Sequence, residues 1–91
     1  MKKLYTNIAV HARDAHMILK ILEPGTQLDI KREPNPKNRS GIGVYRQGRR
    51  LGFLPKTICE KVAPSMDAKQ TVICVKTKDG PSSVELIVTE D

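Results

Sequence analysis

Apolar and polar residues alternate most regularly between Leu28 and Leu54. Leu28 and Ile30 alternate with Asp29 and Lys31, the period-two signature of a strand with one apolar face. Glu33-Pro34 ends that strand, because proline has no N–H to give to a ladder. The stretch from Asn35 to Gly41 mixes Asn, Pro, Ser and Gly with two cations, the chemistry of an ordered polar loop. Ile42 and Val44 resume the alternation, Gln47-Gly48 predicts a hairpin turn, and Leu51 to Leu54 returns as a third strand that stops at Pro55.

The flanking segments read as supports for this unit. Leu4 to Val10 is a first strand, with Ile8 and Val10 on one face. Asp14 is placed to cap a helix over Ala15 to Leu22, in which Ala15, Ile18, Leu19 and Leu22 fall at three- and four-residue spacing and cover a core. Pro24-Gly25 ends it. Pro55 suits the first position of a second helix, which turns Ile58, Cys59 and Val62 inward and closes at Pro64. Thr71 to Thr77 and Val84 to Thr89 form two more strands around Lys78-Asp79-Gly80-Pro81, where Asp-Gly predicts a hairpin. The terminal Glu90-Asp91 is expected to fray. The order β-α-β-β-β-α-β-β, with no repeated βαβ crossover, predicts a mainly β (α+β) fold: a small, closed or partly closed barrel with two short helices. A chain of 91 residues makes this a single domain, 1–91.

Charge changes the picture. From Lys31 to Lys56 there are eight basic residues against the single acid Glu33, or +7, whereas the rest of the chain nets −1 and the whole +6. A surplus confined to one segment predicts a patch, and a patch of this sign attracts phosphates. Its members are Lys37, Arg39, Arg46, Arg49, Arg50 and Lys56. Only Tyr5, Tyr45 and Phe53 are aromatic, so the core is aliphatic, and Tyr45 or Phe53 is left to offer a ring to a base. Alternation alone leaves open whether Phe53 or Leu54 faces inward.

Other chemistry is sparse. Cys59 and Cys74 lack a CxxC spacing and read as reduced, buried, small apolar residues. His11 and His16 are five apart, which does not place both on one helical face, and no further ligands lie nearby for a metal. Neither a catalytic triad nor a phosphate loop can be assembled: Gly41-Ile42-Gly43 lacks the flanking glycine and lysine and falls where a strand is expected. The expectation is a non-enzyme without cofactor. The amino terminus lacks the apolar core and small-residue cleavage site of a signal peptide, and no run is long enough to span a bilayer, which predicts a cytoplasmic protein with no membrane partner.

The run REPNPKNRSGIGVYRQGRRLGFLPKTICEKVAP resembles a HIRAN domain. Arg32-Glu33-Pro34, Asn35-Pro36, Ile42-Gly43-Val44 and Leu51-Gly52-Phe53-Leu54-Pro55 match that family's ordered motifs, and Leu22-Glu23-Pro24-Gly25 matches its upstream turn. The resemblance covers roughly Ile8 to Pro64 and implies a barrel related to the OB and SH3 folds. It also implies a nucleic-acid-binding module for single-stranded DNA or DNA 3′ ends, since a helicase-like member captures such an end. Asn38 stands where the family loop carries an acid, and Ala12-Arg13 where the family carries a ring, which adds Arg13 and Asn38 to the candidate binding residues. A second reading from the same pattern is a small phage or mobile-element protein that docks on a host protein, with a DNA-processing or defence complex as partner.

Overall fold

The computed structural model describes residues 1–89, so Glu90-Asp91, expected to fray, lies outside the described residues. Strands β1 (Lys2–Asn7) and β2 (Ala9–Val10) precede helix α1 (Arg13–Ile21). Then come β3 (Gln27–Arg32), β4 (Ile42–Arg46), β5 (Arg49–Phe53), α2 (Lys56–Asp67), β6 (Thr71–Lys76) and β7 (Ser83–Thr89). The strands join in one seven-stranded sheet in the order β1-β7-β6-β3-β4-β5-β2, with every pairing antiparallel. Its two outer members, β1 and β2, are consecutive in the chain and separated by Ile8 alone. The sheet therefore curls until its ends meet, the predicted barrel-like architecture.

The meeting point corrects the expectation of one unbroken strand from Leu4 to Val10. Ile8 turns into the core, where it is buried, and its N–H donates to Ser82 O at 2.8 Å instead of to a ladder neighbour. That kink lets β1 pair with β7 while β2 pairs with β5. An N–H that leaves the ladder needs another acceptor when buried, and Ser82 supplies it.

Three more boundaries move for identifiable reasons. Helix α1 starts at Arg13 with Ala12 as N-cap, and Asp14 sits inside the first turn, where its Oδ1 accepts the Ala15 N–H at 2.9 Å. A carboxylate there satisfies one of the free first-turn amides and complements the positive helix end, so it serves without being the cap. Pro55 is the N-cap of α2 rather than its first helical residue: its φ of −58° is fixed by the ring, but its ψ of 150° is extended. Pro64 does not close α2, which continues to Asp67. Pro64 is exposed, so the carbonyl that it cannot serve faces water, while the buried Val62 and Ala63 hold the turn in place.

The hairpin expected around Asp79-Gly80 forms, β6 pairing with β7, and its connection is longer than a two-residue turn. Pro81 has no N–H to return across a tight turn and restricts Gly80 to extended conformations. Residues 77–82 instead form a longer connection, held by Thr77 N–H to Ser83 O (3.1 Å) and by the Lys76 Nζ, which donates to Thr77 O and Gly80 O at 2.6 Å each. The Gln47-Gly48 hairpin forms as expected, with φ of 50° and 82° at the two turn residues and Arg46 paired to Arg49. Positive φ at both positions matches the right-handed twist of the flanking strands.

The core is aliphatic. Leu19 of α1, Cys59 and Val62 of α2, and Leu28, Ile42, Val44, Leu51 and Leu86 of the sheet are all buried. Leu54 is buried and Phe53 only partly so, which resolves the open alternation in favour of an outward Phe53. Both cysteines are buried and free, and burial pushes the Cys74 thiol up to about 12. The unfolded thiol ionises near its ordinary value, so between about pH 9 and 12 the unfolded chain loses a proton that the folded one keeps. The contribution of this thiol to stability is accordingly full below about pH 9 and is lost as the pH rises through that window. At pH 8, iodoacetamide is expected to leave Cys74 unmodified in the native protein and to label it promptly in denaturant; mass spectrometry reads the difference.

Candidate functional site

Strands β3, β4, β5 and β2 present one face to the core and one outward, because successive side chains alternate. Ile42 and Val44 take the inner positions of β4, leaving Gly43 and Tyr45 outward. In the β4–β5 ladder Gly43 pairs with Phe53 and Tyr45 with Arg50, and in the β5–β2 ladder Phe53 pairs with Ala9. A bulge between Val44 and Tyr45 absorbs Leu51, so that Leu51 stays in the core while Arg50 and Phe53 share the outer face.

A hydrogen-bonded set occupies that face. The Tyr45 hydroxyl donates to Glu33 Oε2 at 2.8 Å, Arg50 Nε donates to the Tyr45 oxygen at 3.2 Å, and the Arg50 terminal amine ion-pairs with the same Glu33 oxygen. The guanidinium thereby lies between two rings, 4.9 Å from the Phe53 centroid and 5.7 Å from that of Tyr45. Bonding to Tyr45 and then to Glu33 pushes the Arg50 pKa further above its ordinary value, so the cation is permanent. His11, just after β2, packs edge-on against Phe53 with ring centroids 5.1 Å apart. Rings and guanidinium form a continuous platform of π surfaces.

Gly43 makes the arrangement possible. Glu33 Oε1, buried and without a hydrogen-bond partner among the described residues, fills the space where a Cβ would stand on Gly43, and Tyr45 Cε1 lies 3.1 Å from the same point. A side chain at Gly43 would expel the carboxylate that fixes Tyr45 and Arg50.

The loop between β3 and β4 borders the platform at its Gly43–Phe53 end. Asn35 Oδ1 accepts the N–H groups of Lys37 (3.0 Å) and Asn38 (2.9 Å), and the Asn38 Oδ1 accepts that of Ser40 (3.1 Å). Arg32 ties the loop down from below, donating to Arg39 O and Gly41 O while its Nε meets Asp67 Oδ1 of α2 at 3.0 Å. Lys37 and Arg39 are left exposed on an ordered support, and exposed Lys56 opens α2 three positions beyond Phe53. The Asn38 oxygen is used by the loop itself, which leaves its amide NH2 to donate.

Of the candidate residues, Tyr45, Arg50 and Phe53 are in direct contact, and Lys37, Asn38, Arg39 and Lys56 stand on segments that lead into or out of them. Arg46 and Arg49 are one ladder step from Tyr45 and Arg50 and so point to the opposite face, where Arg49 forms an ion pair with Asp14 of α1. Arg13, at the start of α1, is exposed apart from the platform's ring contacts. Sequence reasoning missed Glu33, Gly43 and His11 as parts of one surface. A glycine inside an alternating strand signals a close approach, but not by which atom.

A sequence profile of the HIRAN domain matches residues 4–88. The fold is similar to that of the HIRAN domain of human HLTF, with a TM-score of 0.73 at 19% identity over 94% of this chain and 74% of that one. It is also similar to a protein from Lactobacillus plantarum, with a TM-score of 0.68 at 20% identity over 96% of this chain and 93% of that one. No curated protein matches the chain. With the profile spanning nearly its whole length and the curled sheet shared with both structures, the chain belongs to the HIRAN domain family.

Proposed function

We propose that this HIRAN domain is a non-catalytic module that binds single-stranded DNA, strand ends included, across the outer face of β4 and β5. HIRAN domains are nucleic-acid-binding modules, which supports the general reading. The observation that carries the finer one is the Arg50 guanidinium held beside the Tyr45 and Phe53 rings by its bonds to Glu33 and the Tyr45 hydroxyl. A planar cation already fixed beside two rings loses little freedom when a base stacks on it. Unstacked bases of a single strand can reach such a surface, whereas those of a duplex cannot. Lys37, Arg39 and Lys56 flank the platform as phosphate contacts, and the Asn38 amide offers a donor to a sugar or phosphate oxygen.

Fluorescence anisotropy with short oligothymidylates, bearing free or blocked 3′ ends and compared with duplex, tests this reading. Three cationic phosphate contacts give a log–log salt slope near −2.1 for a single strand, so affinity falls by about 18-fold between 50 and 200 mM salt. Single strands are expected to bind more tightly than duplex, and blocking the 3′ end weakens binding where the terminus is held. Absence of salt-sensitive binding to any single strand at micromolar protein would end the proposal.

A further inference from the structure

A second surface lies on α1. Ala15 and Leu19 of this helix are buried, and Ile18 and Leu22 pack against the core, so the helix is already anchored without its other apolar residues. Met17 and Ile21 point away from that anchor and are 62% and 80% exposed. They are four residues apart and therefore neighbours on the helix surface, forming one ridge. Neither adds to the core, and a β-branched isoleucine is a poor choice for an exposed helical position that propensity alone would govern.

The border of the ridge is cationic. Arg13 precedes Met17 by four residues and Lys20 follows it by three, so both flank Met17 on the helix surface, and both are exposed. Asp14, the one acid within α1, is neutralised by Arg49 of β5, and Arg46, the cross-strand partner of Arg49, faces the same side of the hairpin. The next acid along the chain, Glu23, lies beyond the helix in the following turn.

We propose that the Met17–Ile21 ridge docks an acidic, apolar-anchored segment of a partner protein. One or two of the partner's apolar side chains would cover Met17 and Ile21, and its carboxylates would meet Arg13 and Lys20. Methionine's flexible thioether adapts to differently shaped anchors. Charge complementarity selects this occupant: a second copy of the chain would set the same cations against one another. Phosphates of a nucleic acid would engage the cations but leave the apolar ridge in water. The surface is separate from the platform because Arg46 and Arg49 alternate with Tyr45 and Arg50.

The test uses defined probes on the full chain. A fluorescein-labelled 16-residue peptide with leucines at helical i, i+4 spacing among Asp and Glu is titrated beside an equally charged peptide carrying serine for leucine, a basic counterpart, oligothymidylate and phosphatidylserine vesicles. The acidic leucine peptide is expected to bind tightest of the three peptides. The double variant Met17→Ser/Ile21→Ser is expected to weaken it roughly tenfold, the share that two central anchors carry, while oligothymidylate binding changes less than about twofold. Both positions are exposed, so the variant keeps its fold, which circular dichroism checks. Equal binding of the leucine and serine peptides, no loss in the double variant, or vesicle binding that depends on Met17 and Ile21 while the peptide's does not, would overturn the proposal.

Discussion

Gly52→Ala is expected to lower the stability of the domain by about 3 kcal/mol, the upper range for forcing a methyl group into a packed site. A Cβ at Gly52 would overlap the carbonyl oxygen of Ala9 and come within 2.9 Å of Ile8 Cγ2 and 3.0 Å of the Ala9 carbonyl carbon. Two of these obstacles are backbone atoms of the kinked segment, so no rotamer change relieves them. The segment cannot retreat either, because β2 is only two residues long and pairs Val10 with Gly52 itself. Pushing it away undoes the junction that brings the two ends of the sheet together at Ile8, with the loss of core packing by Ile8. Urea denaturation followed by circular dichroism measures the change as a lowered midpoint. Gly80→Ala is the control: no atom of the described residues lies within 4 Å of its Cβ position, and the expected shift is within about 0.5 kcal/mol. Equal midpoints for the two variants would mean that β2 does not close the sheet as described.

The second large effect is on binding. Phe53→Ala removes the ring against which both Arg50 and His11 pack, and is expected to weaken binding to a short oligothymidylate by about 10- to 100-fold, since each stacked base is worth roughly 1–3 kcal/mol. Arg50→Ala is expected to fall in the same range for a compound reason. It deletes a stacking plane and a cation, and it leaves the Glu33 carboxylate, formerly paired, facing the phosphates. Arg46→Ala removes an equal charge from the opposite face and is expected to change affinity by no more than about threefold. The three variants measured side by side separate a located platform from a general electrostatic attraction, because bulk charge would make the two arginines equivalent.

Local patterns carried much of this architecture. The strands around Leu28, Val44 and Leu51, the Gln47-Gly48 turn and the inward faces of both helices follow from periodicity and turn chemistry, each a matter of neighbouring residues. Tertiary competition set what the pattern could not. Ile8 breaks the first strand because its N–H finds Ser82, far along the chain, and Pro64 stays within α2 because its side of the helix is wet. The charge surplus of residues 31–56 was legible as a sum but not as a direction. Alternation at the hairpin divides it between two faces, with Arg50 on one and Arg46 and Arg49 on the other. Glu33, which read as a strand-ending residue and the lone acid of the basic segment, proves to be the pivot that orients Tyr45 and Arg50. Its contribution depends on a register between β3 and β4 that no single strand encodes.

The most direct test of the binding face is an amide chemical-shift titration of the 15N-labelled domain with a short oligothymidylate at low salt. The account predicts that the largest shifts cluster at His11, Gly43, Tyr45, Arg50, Phe53 and residues 35–41, while α1 stays near its unbound positions. Saturable shifts concentrated on Arg13, Lys20 and Arg46, with the Tyr45–Phe53 face unmoved, would contradict it.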